Sequence, residues 1–452
     1  MRGLHQNLAG WGNLPVQAAC VYRAHRWGDA AEAIRQAGER GLIARGLGRS
    51  YGDAALNDGG AVLLSTRLDR MLAFDGETGV VECEGGVSLG ALLRVFVPRG
   101  WFPPVTPGTK HVTVGGAIAA DVHGKNHHRD GSFAAHVLDL RLLTGTGRIL
   151  VCSREAHADA FWATLGGMGL TGVILSARIR LRRIQSSFVL VDQTRCADLD
   201  AALEQFEKRD RFYQYSVAWI DCLARGRSLG RTVLMHGNHA PPERLALAQR
   251  AAPLALRERR SRNVPFFAPA FLLNRWSVGA FNAAYYAAHP AREAQPCHYE
   301  PYFYPLDALG SWNRIYGRRG FIQYQVAFEP AHSRTGLIAL LETIAASGRT
   351  PFLAVLKAFG PASGGMLSFP RPGYTLALDL PNRGPDLAQF VAELNRATLS
   401  HGGRVYLAKD ALLDAASFAR MYPDADRFRA VQRRLDPAQR FSSSLARRIG
   451  LI

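Results

Sequence analysis

The chain has 452 residues, 48% apolar and 20% charged, which is the balance of a globular protein long enough for two domains. Its formal net charge of +18 reflects either an Arg- and Ala-rich composition or attraction to something anionic: nucleic acid, an acidic membrane surface or a phosphorylated substrate. No helix-turn-helix, zinc-finger or RNA-binding signature accompanies that charge, so no nucleic acid is expected as a partner.

In chain order, Asp29 to Glu39 carries Ala and Ile at helical spacing and is stopped by Gly41. Leu42-Ile43-Ala44, Ala61 to Leu64 and Gly79 to Cys83 read as strands. Ser88 to Phe96 reads as a helix with Ser88 as its N-cap. Pro103 to Ser132 is dense in Gly, Pro, Thr and His and predicts a long turn-rich connection. Val137 to Leu143 and Arg148 to Cys152 predict paired strands around Thr144-Gly145-Thr146-Gly147. Ser153 to Leu165 follows as a helix capped by its serine, and Leu170 to Leu181 as a strand. Near residue 185 aromatics become commoner and polar connections longer. Strands are predicted over Phe212 to Asp221 and Gly320 to Phe328, and a helix over Thr335 to Ala346. The last fifty or so residues return to strand and helix alternation, without repeats or low-complexity blocks.

Six cysteines (Cys20, Cys83, Cys152, Cys196, Cys222, Cys297) are scattered without a Cys-x-x-Cys pair. That argues against a metal knuckle or disulfide framework and suits a reducing compartment. Met1 to Asn7 lacks the apolar core of a signal peptide. No run approaches the roughly 20 apolar residues of a membrane span; the nearest, Val264 to Leu273, contains two prolines. A cytoplasmic protein is expected, with at most a peripheral contact at the inner membrane.

Three small-residue loops carry the chemistry. The first, Arg45-Gly46-Leu47-Gly48-Arg49-Ser50-Tyr51-Gly52-Asp53, follows a strand and frees its amides for close approach to a phosphate. Its glycines do not fit the dinucleotide fingerprint, and it lacks the Lys-Ser/Thr pair of a Walker loop. The second joins Pro107-Gly108-Thr109 to Thr113-Val114-Gly115-Gly116-Ala117-Ile118-Ala119-Ala120-Asp121-Val122-His123-Gly124-Lys125-Asn126-His127-His128. The third is Gly166-Gly167-Met168-Gly169-Leu170-Thr171-Gly172. Loops of this kind at separate strand ends are what an extended dinucleotide needs.

This ordered set resembles the FAD domain of the vanillyl-alcohol-oxidase superfamily. The His-Gly-Lys-Asn-His-His string and later motifs resemble, within it, the decaprenylphosphoryl-ribose 2-oxidase family. The likeness runs from about Gly10 onward and is weakest between residues 225 and 295. It implies an α+β, two-domain fold: residues 1–185 bind FAD, residues 186–400 form a substrate (cap) domain on an antiparallel sheet, and residues 401–452 return to the FAD domain. It further implies that Ala44, Arg45, Gly46, Leu47, Gly48, Arg49, Ser50, Tyr51, Gly52, Asp53 and Ala54 wrap the FAD diphosphate. Gly108, Thr113, Val114, Gly115, Gly116, Ala120, Asp121, Val122 and His123 would face the adenosine and flavin, with Ile174 and Tyr406 completing the site. Many superfamily members carry a flavin-linking His in the first loop; Tyr51 stands there, so the resemblance implies noncovalent FAD.

Flavin-dependent alcohol oxidation needs a group to take the hydroxyl proton. Tyr406-Leu407-Ala408-Lys409-Asp410 resembles the family's Tyr-x-Ala-Lys-Asp motif, whose lysine is implicated in catalysis. Lys409 can act as base only if burial or nearby positive charge lowers its pKa, and Asp410 would oppose that by pairing closely. His123 is the rival, since imidazole already titrates near neutrality. His127 and His128 receive no role, and no carboxylate or cysteine spacing supports a metal. By resemblance the substrate pocket is lined by Tyr51, Tyr304, Gln323, Gln325 and Lys357, with Gln323 and Gln325 on one strand face. Trp219 is either a stacking wall or a core residue. The aromatic stretch Phe266 to Tyr286 is either a lid meeting a polyprenyl tail or ordinary packing. Ala377 stands where the relatives have a flavin-side cysteine that covalent inhibitors capture. The implied reaction is oxidation of the ribose 2′-hydroxyl of a polyprenylphosphoryl ribofuranoside, with an NAD(P)H-dependent short-chain reductase completing epimerisation to the arabino sugar. Oxidation of a soluble aldonolactone or alditol is the alternative.

Overall fold

Alternating apolar residues sort most strands into three larger sheets, beside two two-stranded pairs, in a computed structural model that describes residues 1–257 and 261–452. The hairpin Leu4–Ala9 and Val16–Arg23 extends through Ala61–Leu64 to Leu42–Arg45, the last two pairings being parallel. A second sheet runs Met71–Phe74, Val80–Glu84, Val173–Arg180, Val137–Leu143, Ile149–Ser153, antiparallel throughout. The third has eight antiparallel strands in the order Arg292–His298, Phe188–Cys196, Thr232–His239, Tyr215–Ile220, Ala354–Phe359, Gly373–Pro381, Phe321–Phe328, Arg404–Val405. The fold is α+β.

Period-two alternation gives the large sheet two unlike faces. Leu356, Leu376, Leu378, Tyr324 and Val326 share one core with Leu337, Leu340, Leu341 and Ile344 of the helix Pro330–Ala346 and Leu394 of Asp386–Ser400. The intervening residues, Gln323, Gln325, Val355, Lys357 and Ala377, turn to the other side. After Arg404–Val405 the chain leaves this sheet, and Phe441 bridges to Leu42 of the first.

Ser88 caps its helix as the sequence predicts, its hydroxyl accepting from Ala91 N at 3.0 Å. Ser153 does not. Its hydroxyl closes a local turn by accepting from Glu155 N and Ala156 N, and the helix begins later, at Ala158–Thr164. The strand expected from Phe212 is Tyr215–Ile220, because a 3-10 turn occupies Asp210–Phe212. The connection 103–132 holds a short helix, Val114–Ala119, started by Thr113, whose Oγ1 accepts from Gly116 N at 3.2 Å. The helix expected from Thr335 begins at Pro330, since proline at the first turn loses no hydrogen bond.

Candidate active site

The small-residue turns meet backbone to backbone. A Cβ on Gly46 would collide with the Thr113 side chain, and one on Gly85 with the carbonyl of Ile174. Gly115 N donates to Gly85 O at 2.7 Å, and Val114 N to Val87 O at 2.8 Å. Gly48, at φ +65°, turns the first loop where a side chain would strain. These turns form one wall of a cleft of about 360 Å³, and the polar face of the large sheet forms the other.

Of the residues expected to hold a cofactor, Ala44, Gly46, Leu47, Gly48, Arg49, Ser50, Tyr51, Ala54, Gly108, Thr113, Gly115, Gly116, Ala120, Val122, His123, Ile174 and Tyr406 line that cleft. Arg45, Gly52, Asp53, Val114 and Asp121 stand behind it and brace it. Arg45 donates to Ala9 O at 2.7 Å and Ala55 O at 3.2 Å, and burial lowers its pKa to about 10. Gly52 packs on the Asp410 carbonyl, leaving no room for a Cβ. Val114 is wholly buried. Asp121, at φ +38°, accepts from Ser132, Ser363 and Ser368 hydroxyls and Ala134 N.

On the opposite wall Gln325, Ala377 and Val355 lie side by side, with Gln323 opposite Asp379 and Lys357 opposite Thr375. Thr375 commits its hydroxyl proton to Val326 O at 2.8 Å, so it accepts from Gln325 Nε2 at 3.1 Å. The same nitrogen reaches His123 Nε2 at 2.9 Å. His123 Nε2 is therefore the acceptor and its proton rests on Nδ1. Burial first, then Lys357, His127 and Lys409, hold His123 well below the usual histidine range, so the ring is neutral.

Lys409 sits in the turn that follows Tyr406, its N donating to Tyr406 O at 2.9 Å, while Tyr51 N donates to Ala408 O at 3.1 Å. Its Nζ lies 3.9 Å from the centre of the Tyr51 ring, a cation–π placement. Desolvation lowers its pKa to about 7, opposed by Asp379 and assisted by Lys357, which is itself lowered to about 8 by desolvation. Asp410 does not pair with it. That carboxylate faces Arg448 at 2.8 Å and accepts from the amides of Leu412 and Leu413.

Asp379 is a site residue that sequence reasoning missed. Wholly buried, it accepts from Gln323 Nε2 at 2.6 Å and Tyr316 OH at 2.9 Å, and Gln323 Nε2 also reaches Tyr51 OH at 3.3 Å. Burial raises its pKa to about 6, with Gln323, Tyr316 and Lys409 holding it down. The signal was available: Asp379 alternates with Ala377, so both lie on the cleft-side face of the strand, Asp379 bonded to cleft-lining Gln323. Gly85, Met168 and Gly169 also line it; the last two lie in the third small-residue loop.

Two expected substrate residues lie outside the cleft. Trp219 shares the sheet face of Val355, but Tyr285 covers it with ring centres 4.7 Å apart. Tyr304 is buried behind the wall, its hydroxyl 2.6 Å from Thr106 Oγ1, whereas Leu306 and Asp307 of the same motif reach the cleft. His127 Nδ1 accepts from Gly360 N at 3.1 Å, and no cluster of metal-ligating side chains occurs among the described residues.

Compared with known proteins, the chain is 37% identical over 452 residues to a decaprenylphosphoryl-beta-D-ribose oxidase of Mycolicibacterium smegmatis, covering 99% of this chain and 98% of that one. It belongs to that oxidase family. A family model described as an FAD binding domain matches residues 18–153, and one described as D-arabinono-1,4-lactone oxidase matches residues 381–449. An uncharacterized Streptomyces coelicolor protein is 37% identical over 81% of this chain and its own whole length. A cytokinin dehydrogenase of Oryza sativa subsp. japonica is 35% identical over only 30% of this chain. The protein is thus an FAD-dependent oxidoreductase of the vanillyl-alcohol-oxidase type. Its residues fit the cofactor: the glycines of the first turn let its backbone come close to a diphosphate, and Arg49 supplies a cation at the same wall. Bound FAD supplies the two-electron acceptor that no side chain can provide. Lys409, Tyr51, His123, Gln323 and Gln325 line the same cleft.

Proposed function

We propose that the chain oxidises the 2′-hydroxyl of a polyprenylphosphoryl-β-D-ribofuranose to the 2-keto sugar, with FAD held noncovalently. The observation that carries this reading is Lys409: an amine held near neutrality, over Tyr51, in a cleft that also presents two amides and a second lysine. Lys409 takes the hydroxyl proton; neutral His123 and Gln325 fix the sugar; Gln323 and Lys357 bind hydroxyls and phosphate. The end-to-end likeness to an oxidase named for decaprenylphosphoryl ribose supports this substrate class. The product is a ketone, so an NAD(P)H-dependent short-chain reductase must follow to complete epimerisation to the arabino sugar. In this reading residues 1–185 and 401–452 carry the cofactor and residues 186–400 the substrate. The enzyme works on the cytoplasmic side, peripherally at the inner membrane. No helix among the described residues is long and apolar enough to cross a membrane.

Anaerobic mixing with polyprenylphosphoryl ribose while following flavin absorbance tests the proposal. Bleaching in the wild type that disappears in Lys409→Ala, with FAD still bound, is the expected result; undiminished bleaching in that variant moves the base elsewhere. A second reading, oxidation of a soluble aldonolactone or alditol, is favoured by the match of residues 381–449 to a D-arabinono-1,4-lactone oxidase model. Bleaching by free sugars or lactones, and none by the lipid phosphate, would select it.

A further inference from the structure

The helix Arg275–Ala288 is held to the molecule by few side chains. Val278 and Asn282 are buried, Asn282 Nδ2 donates to Asp221 Oδ1 at 2.7 Å, and Tyr285 covers Trp219. Its exposed positions are Arg275, Trp276, Ser277, Ala280, Phe281, Ala283, Ala284, Ala287 and Ala288, so its only charge is the arginine at its first residue, with no Lys, Asp or Glu anywhere in the helix. A helix facing water carries charge on that side. Just before it, Phe266 and Phe271 are 67% and 72% exposed, and Trp276 is 87% exposed. Single exposed apolar residues are ordinary; several bulky aromatics close in sequence beside a helix face that carries no charge beyond Arg275 mark a surface that something covers.

Charge and position identify what covers it. Residues 261–292 contain Arg262, Arg275 and Arg292 and no acidic residue, and Arg314 and Arg318 each lie 5.7 Å from the Phe267 ring. Aromatics rimmed by arginine are complementary to anionic headgroups over an apolar interior. Two-fold self-pairing would set this cationic patch against itself. The patch also begins at the cleft rim. Ser261, Leu309, Gly310 and Ser311 line the cleft, Arg262 and Asn263 pair with Leu309 and Gly310, and Val264 N donates to Gly310 O at 2.9 Å.

We propose that the face built from Phe266, Phe271, Trp276 and the outer side of Arg275–Ala288 docks on an anionic lipid bilayer and seats the cleft mouth at its surface. The proposal rests on the lipid-linked substrate argued above, whose tail would leave the cleft there, and it assigns that contact to named residues.

The test is flotation of the intact holoenzyme with phosphatidylcholine vesicles, with and without phosphatidylglycerol. The wild type should float with the anionic vesicles, and Phe271→Ser/Trp276→Ser should lower the bound fraction by about tenfold at unchanged flavin content. If the double variant loses flavin, Trp276→Ser alone serves, read as lost quenching of tryptophan fluorescence by doxyl-labelled lipid. Equal flotation of variant and wild type, no flotation of either, or a wild-type dimer that these substitutions dissociate would each overturn the proposal. Flavin bleaching by a water-soluble, short-chain polyprenylphosphoryl ribose separates the two readings. Bleaching without flotation removes only the docking face, and flotation without bleaching removes only the substrate.

Discussion

Arg448 takes the carboxylate of Asp410 at 2.8 Å, and in doing so keeps the acid next in sequence to Lys409 from neutralising it. The same guanidinium grips Asp53 through two hydrogen bonds of 2.7 and 3.0 Å. One side chain therefore ties the first glycine turn to the turn that presents the lysine. Replacing it with methionine leaves two buried carboxylates unpaired, so Arg448→Met should cost about 3–5 kcal/mol. Arg448→Lys should recover little, because an ammonium cannot reproduce the forked contact. Urea unfolding with flavin retention as a second readout checks both; unchanged stability in Arg448→Met would refute the coupling.

The proton balance at Lys409 gives a pH signature. With its pKa near 7, the amine accepts a proton only above that range, so the rate of flavin bleaching should rise as pH passes through about 7. Asp379 favours the charged lysine. Asp379→Asn should therefore move the rise to lower pH with FAD still bound. A profile that stays in place would show that Asp379 does not tune the base.

Lys357 makes a different prediction, about stability. Its folded pKa of about 8 lies below the ordinary 10.5, so the folded state pays for the cation in full below pH 8 and is relieved as pH climbs from 8 to 10.5. Lys357→Met should raise stability at pH 7 by at most about 3 kcal/mol, while weakening substrate binding. The gain should shrink at pH 10, measured by paired urea melts. A variant less stable than wild type at pH 7 would contradict the argument.

The glycine wall can be tested without substrate. Gly46→Ala forces a methyl into Thr113, so the protein should fold yet be purified with little FAD, read from the absorbance ratio. Full flavin content would mean that the first turn does not need to close on Thr113.

Ala377 lines the cleft at the position where the resemblance implies a capturable thiol in relatives. Nitroarene inhibitors should leave no stable adduct on the wild type, and Ala377→Cys should acquire one by intact mass. An adduct on the wild type would place the thiol elsewhere.

Much of this site was legible because it rests on local rules. Alternation alone sets Gln323 and Gln325 on one face, and Ser88 announces its helix. The glycine turns declared themselves by composition, and their contact with one another follows from strand order. What escaped depends on contacts between distant segments. Nothing near Trp219 reveals that Tyr285 will cover it, and nothing near Tyr304 reveals that its hydroxyl will turn to Thr106. Ser153 reads as a cap because a serine before a helical run has two competing local bonds, and the turn won. The fate of Asp410 required knowing where Arg448 would be.

That bond from residue 448 back to residue 53 has a consequence for biosynthesis. A ribosome makes the first cleft-lining loop early and its brace 395 residues later. Until the emerging polypeptide has passed that point, the loop lacks its counter-charge, so tight flavin capture should wait until Arg448 has emerged.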